Sequence, residues 1–295
     1  MSESNLCAAI AGVPNVGKST LINALIGEKI AITSPKPQTT RTRMLGVLTK
    51  GELQYVFLDT PGFHKPKTKL GEHMNKTVRE SVADVDCVVF MTWAKDSFNE
   101  EEQKLLGEVK AADVPVVLCI NKIDALKDRE VAKKAAESLC GQFRFDDVVY
   151  TSALNVEGCD DMLATLAKYS VEGPHFYEDD MLTETPERDI VAELIRECLL
   201  TNLRDELPHG CAVSIESFKE RPSGDFIDIS AEIICEKESH KGMIIGKGGA
   251  MLKKIGSEAR GKIEDFLMCR VNLKLWVKVR EGWRDREAYI KSFGL

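Results

Sequence analysis

The 295-residue chain has no uninterrupted apolar stretch near the roughly 18 residues a membrane span needs, which excludes an ordinary helical membrane protein. Its opening Met-Ser-Glu-Ser-Asn lacks the basic start and apolar centre of a secretory signal, so a cytoplasmic setting is expected. No two of the nine cysteines form a C-x-x-C pair, which argues against a zinc ribbon or a redox motif. Cys7, Cys87 and Cys119 sit in apolar runs and are expected to be buried thiols in a reducing compartment. Internal repeats are absent too. Nor is there an excess of positive charge: the net charge is −7, so the chain as a whole does not look like a nucleic-acid binder. The charge is unevenly placed, however. Between Lys237 and Arg286 stand 13 Lys and Arg against 6 Asp and Glu, a local +7 that leaves −14 for the rest. With 43% hydrophobic and 29% charged residues, composition is that of a globular chain long enough for about two domains.

What is present, in order, is four short segments. Gly12, Val13, Pro14, Asn15, Val16, Gly17, Lys18 and Ser19 fit the phosphate-loop pattern G-x-x-x-x-G-K-[ST], with Thr20 following in the next helix. The glycines let the loop curl so that backbone N–H groups face phosphates at a helix N-terminus. Lys18 is expected to neutralise phosphate charge and Ser19 to give its hydroxyl to Mg²⁺. The second segment, Asp59-Thr-Pro-Gly62, supplies a Mg²⁺ carboxylate in Asp59 and a close N–H to the γ-phosphate in Gly62. The third, Asn121-Lys-Ile-Asp124, decides the base. Asp124 can accept from both N1–H and the exocyclic amine of guanine, whereas adenine offers no matching pair of donors. Asn121 and Lys122 are expected to brace the base, and Ser152 and Ala153 of Thr151-Ser-Ala153 to close the pocket, with the Ala153 N–H on guanine O6. The expected ligands are GTP and GDP.

Pro37-Gln-Thr-Thr-Arg41 lies between the first two segments and reads as a switch, with Thr40 rather than Thr39 expected to join Ser19 and Asp59 at Mg²⁺. Phe63 occupies the place where Ras-like switches carry a water-orienting glutamine, so intrinsic hydrolysis is expected to be slow. His64 reads as a structural switch residue. Lys18, Asn15 and Thr40 are the candidates for stabilising the transition state, Asn15 by helping to hold a K⁺ activator.

Apolar runs precede each segment and alternate with helical stretches, which implies an α/β domain: a mostly parallel sheet with helices on both faces and its ligand at the strand ends. This domain is expected over residues 1–172. Residues 173–187, acidic and with two prolines, read as a linker. Residues 188–295 read as a second, α+β domain. There Gly246, Lys247, Gly248 and Gly249 make a G-x-x-G loop before a helix carrying Lys253, Lys254, Arg260 and Lys262. This resembles the type II KH signature, in which such a loop holds the backbone of about four nucleotides of single-stranded RNA. Trp276, between Lys274 and Lys278 on the last strand, could stack on a base or pack against protein.

A phosphate-loop GTPase domain joined to a C-terminal KH domain resembles the Era family. The segments Pro37 to Arg43, Asp59 to Pro66, Leu70 to Met74, Glu206 to His209 and Ile245 to Gly249 carry the resemblance, which covers essentially the whole chain. It implies slow GTP hydrolysis and binding to the 3′ end of 16S rRNA. It also implies a role in maturation of the 30S ribosomal subunit and peripheral association with the inner membrane. A monomer is expected. The rival readings are a GTPase that assists tRNA modification and a scaffold whose KH fold contacts protein.

Overall fold

The computed structural model describes residues 3–222 and 224–295. The chain divides into two compact units, residues to Lys67 with Gly71–Glu184, and Thr68–Leu70 with Thr185–Leu295.

The first unit runs β1 (Ser4–Ala11), α1 (Lys18–Ile26), β2 (Met44–Lys50), β3 (Leu53–Asp59), α2 (Lys69–Ala83), β4 (Cys87–Trp93), α3 (Glu100–Ala111), β5 (Val116–Asn121), α4 (Glu130–Cys140), β6 (Asp147–Tyr150), α5 (Cys159–Leu166) and β7 (Val171–Glu172). The sheet order is β2-β3-β1-β4-β5-β6, with the short β7 antiparallel on β1. All pairs from β3 to β6 are parallel, and β2 alone among the longer strands runs antiparallel. The strands are apolar throughout because both faces are covered. Leu6, Ala8 and Ile10 of β1 pack on the α1/α5 side with Leu21, Leu25 and Met162. Ala9 and Ala11 point the other way, into a core with Val78, Leu105 and Leu139 of α2, α3 and α4. No motif marks β2 in the sequence. It is fixed by the two-residue turn Gly51-Glu52, where Gly51 takes φ 63°, a conformation that costs glycine no Cβ clash.

Residues 173–184, expected as part of a tether, pack on the first unit. Gln54 receives the Phe176 and Tyr177 N–H groups at 2.9 and 3.0 Å and returns its own amide to the Tyr177 carbonyl at 2.9 Å. The Val47 N–H donates to the Leu182 carbonyl at 2.8 Å, so this strap hydrogen-bonds the outer edge of β2. His175 bridges Asp179 (Nδ1, 2.7 Å) and the Glu52 carbonyl (Nε2, 3.1 Å). Covering an edge strand blunts its tendency to pair with another chain.

The second unit runs α6 (Glu187–Asn202), β8 (Ala212–Glu220), β9 (Phe226–Cys235), α7 (Glu238–Ile245), α8 (Ala250–Leu267), β10 (Arg270–Val279) and α9 (Glu287–Ser292). Its sheet is β10-β9-β8, with β9 antiparallel to β8 and parallel to β10. Ile255, Ala259 and Ile263, one helical turn apart on α8, are fully buried, as are Ile195 and Cys198 of α6 and Ala231 and Ile233 of β9. Each isoleucine so buried contributes roughly 1.5–3 kcal/mol. Trp283 is completely enclosed and donates its indole N–H to the Gly210 carbonyl at 2.9 Å. Lys262 departs from its expected place among the basic groups of a groove. Its Nζ lies 2.6 Å from the buried Glu197, where it ties α8 to α6.

Candidate functional site

β1 stops at Ala11 and α1 begins at Lys18, so the chain must turn sharply between them. Gly17 does so at φ 105°, and no side chain caps α1. The first amides of that helix are thereby left to meet an anion. Lys18 is buried, 6% exposed, and curls back to donate from Nζ to the Gly12 and Val13 carbonyls, each at 3.1 Å. Burial lowers its pKa to about 8, with the charge of Asp59 pulling the other way.

Below the loop three oxygens gather. Ser19 Oγ donates to Asp59 Oδ2 at 2.6 Å, Thr40 Oγ1 donates to the same oxygen at 3.2 Å, and the two hydroxyls lie 2.8 Å apart. Asp59 Oδ1 is buried without a hydrogen-bond partner among the described residues. Burial raises the Asp59 pKa, and Ser19, Lys18 and Thr40 oppose the shift. A buried, unpartnered carboxylate oxygen beside two hydroxyls is a hard-oxygen donor set that suits Mg²⁺. Thr39, by contrast, turns its hydroxyl back to the Lys36 carbonyl at 2.7 Å.

At the other end Asn121, 3% exposed, joins three segments. It donates to the Val16 carbonyl at 2.8 Å and accepts from Thr151 Oγ1 at 3.0 Å and the Ala153 N–H at 2.9 Å. Lys122, itself left-handed at φ 63°, reaches the Asn15 carbonyl at 2.7 Å. Ser152 Oγ fixes one oxygen of Asp124 at 2.6 Å and so sets the direction of that carboxylate. The Ala153 N–H, expected on guanine O6, is engaged by Asn121, so a base oxygen would share this donor.

These parts enclose a cleft of about 590 Å³. Pro14, Asn15, Gly17, Lys18, Ser19, Thr20, Thr40, Gly62, Asn121, Lys122, Asp124 and Ala153 line it. Of the other expected residues, Gly12, Val13, Val16, Asp59 and Ser152 stand behind its wall. Sequence reasoning missed Ile32, Thr33 and Ser34, which with Pro35 form one flank. It also missed Asn23, which accepts from the Ile30 and Ala31 N–H groups at 3.1 and 2.9 Å and donates to the Ala31 carbonyl at 2.8 Å. Asn23 thus anchors the root of the switch segment to α1. The spacing of motifs carries no signal for such a residue.

In the second unit the G-x-x-G loop joins α7 to α8 with Gly246, Gly248 and Gly249 at φ 73°, 60° and 79°. A Cβ on Gly246 would lie 2.8 Å from Met251 Cβ, whereas Gly248 and Gly249 face open space. From Gly249 a groove of about 540 Å³ runs between α8 and β10, floored by Leu252, Leu273 and Leu275 and edged by Lys253, Ser257 and Arg260. Lys254 points away from it and pairs loosely with Glu258 at 3.8 Å.

Residues 7–122 match the family described as 50S ribosome-binding GTPase, and residues 206–284 match the KH domain. The GTPase Era of Caldanaerobacter subterraneus subsp. tengcongensis is 47% identical over 286 residues, covering 97% of this chain and 96% of that one. The GTPase Era of Clostridioides difficile is 46% identical with coverage of 97% and 96%. The chain belongs to the Era family of GTPases.

Solved Era structures are similar over both units. An Era in complex with MgGDPNP and nucleotides 1506–1542 of 16S ribosomal RNA superposes with a TM-score of 0.95 at 37% identity, covering 99% of each chain. A variant of Aquifex aeolicus Era bound to GDP·AlF₄⁻ gives 0.94 at 37%, covering 100% and 99%. As an Era-family enzyme the chain hydrolyses GTP to GDP and phosphate. The family match ends at Lys122, so Asp124 and the 151–153 segment are placed by the geometry above.

In this Era-family chain Phe63 is 5% exposed and packs into the core with Ala9 and Val78, and its apolar ring has no group that could orient a water. His64 is held by Gly62 (Nδ1 to carbonyl, 2.9 Å) and receives the Gln38 amide at Nε2, 3.1 Å. With Nδ1 donating to a carbonyl, Nε2 must be the acceptor. Asn75 of α2 brackets its backbone, donating to the His64 carbonyl at 2.7 Å. His64 therefore links the switch segment to the residues after Asp59.

Proposed function

We propose that this GTPase uses its nucleotide state to govern how its KH unit grips single-stranded RNA, namely the 3′ region of 16S rRNA, during assembly of the small ribosomal subunit. The observation that carries the reading is the groove beside α8. It has an apolar floor, an open glycine loop at one end and exposed Lys253 and Arg260 on its rim. That is the chemistry needed to seat unstacked bases and hold their phosphates. The solved Era complex with nucleotides 1506–1542 of 16S rRNA supports the identity of the strand.

In the cleft, Asp124, oriented by Ser152, reads guanine, and the stem of Lys122 supports the base plane. The loop amides and Lys18 take the phosphates. Ser19, Thr40 and Asp59 would hold Mg²⁺, which neutralises charge on the β- and γ-phosphates when bound. Thr40 can reach that position only with its segment folded over the cleft, so loss of the γ-phosphate releases it. The exposed Asn15 at the cleft mouth would help to hold K⁺, supplying positive charge where Phe63 supplies nothing. Equal GTPase rates in K⁺ and Na⁺ would remove that part.

The test is binding of an RNA spanning the 3′ end of 16S rRNA to protein loaded with GDPNP or with GDP. GDPNP should tighten RNA, and by linkage RNA should tighten GDPNP by the same factor. Identical affinities in the two states, or preference for a tRNA, would overturn the reading.

A further inference from the structure

The last strand of the KH unit has two faces, and only one belongs to the groove. Leu273 and Leu275 point inward beside α8, while Lys274, Trp276 and Lys278 point to the opposite side. β10 is also the edge strand of its sheet, so the groove opens at the same strand whose reverse face carries Trp276. The indole is 48% exposed, in contrast to Trp283, which is fully enclosed. An exposed tryptophan offers a large, rigid apolar face that a stacking partner can cover.

The charges around it suit a polyanion. Lys274 is exposed on one side of the ring in the strand. The residue directly across from Trp276 on β9 is Glu232, which alone would repel phosphate. Its carboxylate is hydrogen-bonded to Lys278, and the Lys278 side chain remains 46% exposed. The next acidic side chain along β9, Asp228, is likewise occupied, by a two-pronged pair with Arg221 at 2.6 and 2.7 Å and by Asn272 at 2.7 Å. Every face of a nucleobase can stack on an aromatic ring, and lysines beside it favour the backbone that follows.

We infer that Trp276 is a stacking platform for one further base of the bound RNA, placed where the strand leaves the groove and passes over the edge of β10. The inference rests on the groove reading above and extends the site by a nucleotide beyond those the G-x-x-G loop holds. Its chemical requirement is a single-stranded base with a free face, so sequence matters little at this position.

Two unstructured RNAs of cytidine and adenosine, four and ten nucleotides long, separate the parts. For the ten-mer, Trp276→Ala should weaken binding by roughly 5- to 150-fold, the span that stacking one base carries. For the four-mer it should change nothing. Trp276→Phe should restore most of the ten-mer affinity, and binding the ten-mer to wild type should quench tryptophan emission in a way lost in Trp276→Ala. Gly248→Asp, on the loop, should weaken both lengths. Unchanged ten-mer affinity in Trp276→Ala would overturn the platform while leaving the groove intact. An equal loss on both lengths would overturn it as well, as would failure of Phe to rescue. If Gly248→Asp binds both RNAs normally, the groove reading itself fails.

Discussion

The two glycine loops of this molecule are built in different ways. In the first unit, glycine is demanded by the protein itself. A Cβ on Gly12 would lie 2.5 Å from the Met91 carbonyl oxygen, one on Gly17 2.4 Å from the Asn121 amide, and one on Gly62 2.7 Å from Pro14 Cα. These neighbours come from β4, the base-reading segment and the phosphate loop. In the KH unit, a Cβ on Gly248 or Gly249 would meet nothing within 4 Å among the described residues, and only their positive φ calls for glycine. The cleft is a tertiary assembly whose parts hold one another. The KH loop is a local turn, pressed only at Gly246, where a Cβ would lie 2.8 Å from Met251 Cβ, and open at Gly248 and Gly249.

The contrast can be broken most forcefully at Gly17. Gly17→Ala forces the Asn121 hub to move, and overpacking of this kind costs about 1–3 kcal/mol or more. Calorimetry should show GTP affinity down by roughly 5- to 150-fold, with RNA binding by the KH unit retained. The mirror experiment is Gly248→Asp. Aspartate tolerates a left-handed backbone better than most residues, so the fold should survive with its melting temperature nearly unchanged. RNA affinity should fall by roughly tenfold or more as a negative charge meets phosphate, with GTP affinity unaffected.

A smaller effect sharpens the account of the cleft. Asn23→Ala removes three hydrogen bonds at the root of the switch segment, each worth roughly 0.5–1.5 kcal/mol. Amide exchange over residues 30–40 should quicken and turnover should drop, while GDP affinity, set by the loop and the base, stays close to wild type. Asn23→Asp keeps the acceptor for two of the three bonds and should recover part of the loss.

The smallest effect concerns the strap on β2. Hydrogen bonding to Asp179, then to the Glu52 carbonyl, raises the His175 pKa above its ordinary 6.5, with the Glu3 charge assisting and burial opposing. A raised folded value means the charged form binds more tightly in the native state. This contribution is therefore complete below about pH 6.5 and is lost as pH rises through the raised value. Exchange of the Val47 and Tyr177 amides should quicken over that window, and His175→Gln should flatten the dependence.

How much could be read in advance follows from the same contrast. The cleft was legible because each of its segments sits at a strand end and carries a side chain with one job, as Asp59, Asn121 and Asp124 do. The strap was not, because much of its docking is made by the main chain of Phe176, Tyr177 and Leu182, with His175 adding a side-chain bond to the Glu52 carbonyl, while its acidic, proline-bearing composition resembles that of a tether. β2 escaped notice because no motif follows it. Lys262 was misplaced by composition where helical phase would have corrected it. Nine residues beyond Lys253, at 100° each, set it roughly on the opposite side of α8, whereas Arg260 returns to the same face. Asn23 reads as an ordinary polar position of a helix, and only the loop it captures shows its use.

Whether distant segments converge to read guanine is decided by calorimetric titration of wild type and Asp124→Asn with GTP, ATP and XTP. The expected result is tight GTP and undetectable ATP binding in wild type, with preference transferred to XTP in the variant. Comparable affinity for ATP in wild type, or an unchanged preference in Asp124→Asn, would contradict it.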